Sequence, residues 1–337
     1  MSRWVLCMAV AVVLCAMGIA YAQQTGQTSW YDRISINGYA STRYDTGEAL
    51  QDGFNFRHLY LNVVGNVNDR TMGVITLSRV GPGDPNIDLY IAMVDYRIND
   101  EWNVQLGQVP TWFGLEAWEG SSVRIPLERA LILEGGPGFY YQGASDRGVW
   151  LRRKQIENTP MIVLGVCNGE YRARDQNTNK TISADVKWNY DWGQCGASWM
   201  DGKLGPDATE TPREAVGAYV RLFPQPWGLQ AEWADGKLLG ADRDGYYVQG
   251  TYAFPDHPGK LFARWEEMSI EAPLSPGPGT SFSDYEALHF GYEYQLDESN
   301  EITVQWSDAE WSYSGTGQTS STSDAGYGAV QWQYSFK

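Results

Sequence analysis

After residue 22 this 337-residue chain has no run near the roughly 18 consecutive apolar residues that a membrane-crossing helix needs. If it enters a membrane, it enters as strands. Basic residues are also scarce, with 25 Lys and Arg against 41 Asp and Glu for a formal charge of -16. That balance argues against nucleic acid and anionic lipid surfaces as partners. Histidine is scarcer still: His58, His257 and His289 belong to no Ser-containing motif, so a catalytic residue is not expected. No His or Cys cluster has metal-ligand spacing and no Cys-x-x-Cys-His haem attachment occurs, so neither a metal nor a cofactor is expected. Asp84, Asp88, Asp242 and Asp244 lack a complete calcium-ligand pattern. Of 4 cysteines only Cys167 and Cys195 lie beyond the leader. An oxidising compartment would allow one bridge, but two strands of separation, about 10 Å, points to free thiols.

The leader is an apolar run from Trp4 to Ile19 behind Arg3, followed by Ala20-Tyr21-Ala22. It reads as a signal peptide over residues 1–22, cleaved before Gln23, and sends residues 23–337 out of the cytoplasm.

What the chain has in quantity is aromatic residues, with 15 Trp, 21 Tyr and 10 Phe, together with 37 Gly. Sixteen period-two segments run from 33–44 to 325–336, with 54–66 and 300–309 among them. Merging or splitting weak segments would give fourteen or eighteen. Connections alternate between short turns, such as Asn68-Asp69-Arg70 and Asp297-Glu298-Ser299, and longer Gly, Pro, Ser and Thr-rich stretches such as 271–283 and 310–324. In the last segment Val330, Trp332, Tyr334 and Phe336 alternate with Gln331, Gln333 and Ser335, one face for lipid and one for water. Together these features imply an all-β fold: a transmembrane antiparallel β-barrel in the bacterial outer membrane, with short periplasmic turns and long external loops. Trp332, Tyr334 and Phe336 resemble the aromatic-terminated signal for outer-membrane assembly; the additional Lys337 departs from it.

One connection, residues 110–146, is far longer than the rest and falls at the third external loop. Structureless loops of that length are usually functional, and in a wide barrel an inward fold narrows the channel.

Several motifs sit around this loop: Phe56-Arg57-His58 with Leu59, Leu61 and Gly65; Leu106-Gly107-Gln108 leading to Trp112-Phe113-Gly114-Leu115-Glu116; Leu127-Glu128-Arg129-Ala130-Leu131; and Arg147-Gly148-Val149. They resemble the phosphate-selective porin O and P family closely over residues 54–151. The resemblance implies a sixteen-stranded, trimeric porin whose third loop folds into the lumen. Phosphate is not implied with it, because selective members hold phosphate with lysines and an arginine ladder, whereas this chain has no lysine before Lys154.

Arg124, Arg129, Glu116, Glu119 and Glu128 are the candidate constriction residues, and the acids are expected to offset the pull of the two arginines on an anion. Strand faces nominate His58, Asp95, Arg97, Asp185, Lys187, Arg221, Glu232, Arg264, Glu266, His289 and Glu293 as pore lining. A lining of both signs implies passive diffusion of small polar solutes or ions with modest selectivity. A selective phosphate or polyphosphate channel, and a barrel sleeve around an electron-transfer partner, are the alternatives. The implied partners are outer-membrane lipid, diffusing solutes and two further copies of the chain.

Overall fold

The computed structural model describes residues 33–47, 52–80, 86–116, 119–120, 122–134, 139, 145–271, 283–313 and 321–336. The leader and Lys337 lie outside them, as do parts of several external loops. Sixteen strands follow in chain order: β1 (Ile34–Gly47), β2 (Gly53–Asn68), β3 (Thr71–Val80), β4 (Asp88–Arg97), β5 (Trp102–Pro110), β6 (Ser145–Arg153), β7 (Met161–Cys167), β8 (Thr181–Tyr190), β9 (Gly193–Leu204), β10 (Thr211–Leu222), β11 (Trp227–Leu238), β12 (Ala241–Ala253), β13 (Gly259–Glu271), β14 (Asp284–Gln295), β15 (Asn300–Tyr313) and β16 (Ser321–Phe336). Each pairs antiparallel with its chain neighbour, and β1 pairs with β16, which closes the barrel and leaves no free edge.

Alternation decides which face looks in. On β8, Ile182 is 51% exposed on the outside, while Thr181, Ser183 and Asp185 are buried within. Three register shifts break the rule, one of them beside the β2–β3 turn, where Asn66 faces Met72 and Asn68 faces Thr71. Between β1 and β2, Ser41 faces His58 and Thr42 faces Phe56, so Arg57 is the extra residue. Between β3 and β4, Thr76 faces Ile91 and Leu77 faces Leu89, so Tyr90 is. A β-bulge re-aims the side chain it adds.

The hydrophobic core lies inside the barrel, formed by the third loop against the wall. Phe113, Ala130, Ile132, Leu133 and Phe139 of the loop cluster with Tyr171, Met200, Ala215, Ala234 and Tyr247. Leu131 packs on a second group that includes Met268, Ala287 and Ala309. Burying side chains of this size gains about 1.5–3 kcal/mol each. Small inward wall residues make room: a Cβ at Gly217 would lie 3.3 Å from the Phe113 ring. Cys167, on β7, is buried, Cys195, on β9, is half-buried, and both are free.

The constriction loop and its ion pairs

The loop is held by backbone as well as by apolar contact. Gly114 N–H donates to Ser198 Oγ at 2.9 Å and Leu115 N–H to a Glu232 carboxylate oxygen at 2.8 Å. Farther along, Leu127 N–H donates to Gln305 at 2.9 Å and Leu131 N–H to Glu266 at 3.0 Å. Gly114 sits at φ +83, the left-handed region, and a Cβ there would meet Glu232 Oε1. Glu232 and Glu266, expected as pore lining, thus accept hydrogen bonds from the loop backbone. Asp146, where the loop rejoins the wall, is fully buried and pairs with Arg213 at 3.2 Å.

Three of the loop acids pair with arginines of the wall rather than with the arginines of the loop. Glu116 pairs with Arg264 on β13, Glu119 with Arg221 on β10, and Glu128 with Arg43 on β1 and Arg57 on β2. Among the described residues, the one ion pair within the loop joins Glu134 to Arg129 at 2.8 Å. Each pairing across the lumen fixes the loop to a different part of the wall. Around Glu128, burial works against the charged carboxyl, but Arg43 and Arg57 outweigh it and hold the group well below the usual carboxylate range.

Arg124 is 9% exposed and donates to the carbonyls of Pro126 and Leu127, both at 3.4 Å. Burial, then the like charge of Arg129, lowers its pKa from the ordinary arginine value. It still borders a cavity of about 260 Å³ whose other polar walls include Glu116, Glu119, Arg221, Gln230 and Lys260.

The remaining wall candidates are bound in small networks. His58 meets Ser41 at 3.0 Å, and Asp95 accepts from Asn103 at 2.6 Å and Gln105 at 2.8 Å. Arg97 donates to the carbonyl of Asp69 in the first turn at 2.6 Å. Asp185 accepts from Ser198 at 2.7 Å, and half-buried Lys187 is two residues on along the same face of β8. Glu293 pairs with Lys260 at 2.8 Å.

Ser307, His289 and Glu266 stand in hydrogen-bonded order, both links 2.8 Å long, a spacing that resembles a hydrolytic triad. Ser307 is 0% exposed and also accepts from Gln305 at 2.9 Å, so no substrate reaches its hydroxyl. The group braces the wall beneath the loop.

Strand parity alone did not bring out Arg43, Arg57 or Arg213. Arg43 carried a readable signal, alternating with Ser41 and Asp45 on β1. Arg57 carried none, because its inward aim depends on the bulge.

The model of the phosphate-selective porin O and P family matches residues 30–194. Among solved structures, an anion-selective porin from Comamonas acidovorans superposes with TM-score 0.63 at 11% identity, covering 90% of this chain and 99% of that one. The outer-membrane channel DcaP of Acinetobacter baumannii gives TM-score 0.61 at 12% identity, covering 90% and 97%. OmpT of Vibrio cholerae in its trimer form gives 0.57 at 12%, covering 90% and 99%. At such identities these similarities show the fold. No curated protein matches the chain. A closed barrel of sixteen strands with an inward third loop is the frame of an outer-membrane channel, and over residues 30–194 the chain is similar to the phosphate-selective porin O and P family.

Proposed function

We propose that this porin gives passive, weakly selective diffusion of small polar solutes and ions, with the third loop setting the width of the pore. The observation that carries this reading is that Glu116, Glu119 and Glu128 all pair with wall arginines. The opposed charges largely cancel at the narrow part, and local field rather than net charge sets ion preference. The test is the reversal potential of single channels in a salt gradient, with phosphate added as blocker. A small reversal potential and no block support the reading; strong anion selectivity with saturable phosphate block opposes it.

One observation favours an anion preference as the second reading. A single oxygen of Glu128 takes both Arg43, at 2.6 Å, and Arg57, at 2.5 Å. Arg43 is also paired with Asp45 at 2.9 Å, so Arg57 is the cation for which an entering anion would compete with Glu128.

Residues 1–22 act as the cleaved leader in this reading, and the barrel assembles as a homotrimer in outer-membrane lipid. The exposed strand tryptophans, Trp199, Trp227, Trp233, Trp265, Trp306 and Trp332, lie on β9–β16. The outward face of β4–β7 instead carries Val94, Leu106, Val149, Leu164 and Val166. Tryptophan marks the lipid interface, so the aliphatic flank suits contact with a second copy.

A further inference from the structure

Between loop residues Gly120, Ser122 and Val123 and the β14–β15 turn at Glu298 and Ser299 lies a chamber of about 770 Å³. One part of its wall is built of tyrosine. Tyr39 faces Tyr60 across the β1–β2 ladder with their rings stacked at 4.8 Å, and Tyr90 meets Tyr60 edge-on at 5.8 Å. Tyr90 belongs to a strand two removed from Tyr60. It reaches across because the intervening residue opposite Tyr60 is the small Ser78, and because the β3–β4 bulge makes Tyr90 the added residue. Tyr60 and Tyr90 are half-buried and keep ring surface for an occupant.

Beside the rings, Thr76 donates to Asn62 at 2.7 Å and Asn62 donates to Asn37 at 3.0 Å. The loop contributes Glu119 and Arg129 to the same chamber.

We propose that this chamber binds the ring of a sugar as it passes through the pore. A pyranose face carries C–H groups that pack on aromatic rings, and its hydroxyls need hydrogen-bond partners once they leave water. The tyrosines offer the first, and the amide and hydroxyl groups around them offer the second. The chamber falls within the size range of small-molecule sites. An inorganic anion fits it less well, since aromatic faces carry negative quadrupole charge and Arg129 is already paired with Glu134.

The inference rests on the porin reading only for the route by which the sugar arrives. Its test is single-channel recording with maltose as probe and glycerol at matched viscosity as control. Maltose should reduce the current saturably where glycerol does not. Tyr60→Ala and Tyr90→Ala should each raise the half-blocking concentration by about twofold to tenfold, and Tyr60→Phe should leave it in place. Equal effects of maltose and glycerol, block by benzoate without block by maltose, or an unchanged half-blocking concentration in both alanine variants would overturn the site. A protein without current would contradict the channel reading alone. Maltose titration of the detergent-solubilised barrel, read by intrinsic fluorescence, then decides the site: a saturable change supports it and a flat titration overturns it.

Discussion

Glu128 and Arg43 lie 2.6 Å apart although 85 residues separate them, one on the inward loop and the other on the first strand. Their contact and the Arg57 contact beside it hold the Glu128 carboxyl well below its ordinary value of 4.5. A carboxyl depressed by folding contributes stability above its unfolded pKa, and that contribution is lost only as pH falls through the lower folded value. This latch should therefore survive mild acid. Current noise from loop movement should stay constant from neutral pH to about pH 4, and Glu128→Gln should raise it at every pH. Noise that grows in the native channel already between pH 6 and 5 would contradict the assignment.

Glu116 and Arg264 have side chains 0% and 1% exposed, so removing one partner strands the other away from water. Glu116→Ala should cost about 3–5 kcal/mol, and the double variant with Arg264→Met should recover much of it. A thermal-unfolding cycle on the folded barrel measures the coupling; additive losses would mean that the pair does not act as a unit.

Ala234, on β11, belongs to the wall seat under Phe113 and Leu133. Ala234→Leu overfills that seat at about 1–3 kcal/mol and should push the loop away from the wall. The loop should become more sensitive to added protease while the barrel itself stays intact. An unchanged digestion pattern would show that the seat has slack.

The strands were legible in the sequence because lipid outside and water inside impose a two-residue alternation on every crossing. Segment 54–66 lies within Gly53–Asn68, and the segment from 325 lies within Ser321–Phe336. Their ends were less clear where strands run beyond the lipid: β15 continues to Tyr313, and outward positions there, such as Asp308 and Glu310, are acidic rather than apolar. An inward loop could be inferred from length alone. Its partners could not, since Arg264 and Glu116 are 148 residues apart and no local pattern joins them. Arg57 and Tyr90 were hidden for another reason: each is the extra residue of a bulge, and a strict alternation turns it outward.

The flank formed by Val149 and Leu164 offers a separate test of assembly. Val149→Lys with Leu164→Lys should dissociate the trimer into folded monomers on unheated gels, because a buried lysine at such a contact lacks a partner. The same change at Trp233 and Trp265 should leave the oligomer in place. Loss of the trimer from the second pair alone would move the interface to β11–β13.

Deleting residues 114–139 and measuring single-channel conductance beside the native chain tests the central claim most directly. Ohmic current in the native protein and a severalfold larger conductance in the deletion are the predicted result. Equal conductances in the two channels would contradict the account, because the loop pinned by Glu116, Glu119 and Glu128 would then not be what narrows the pore.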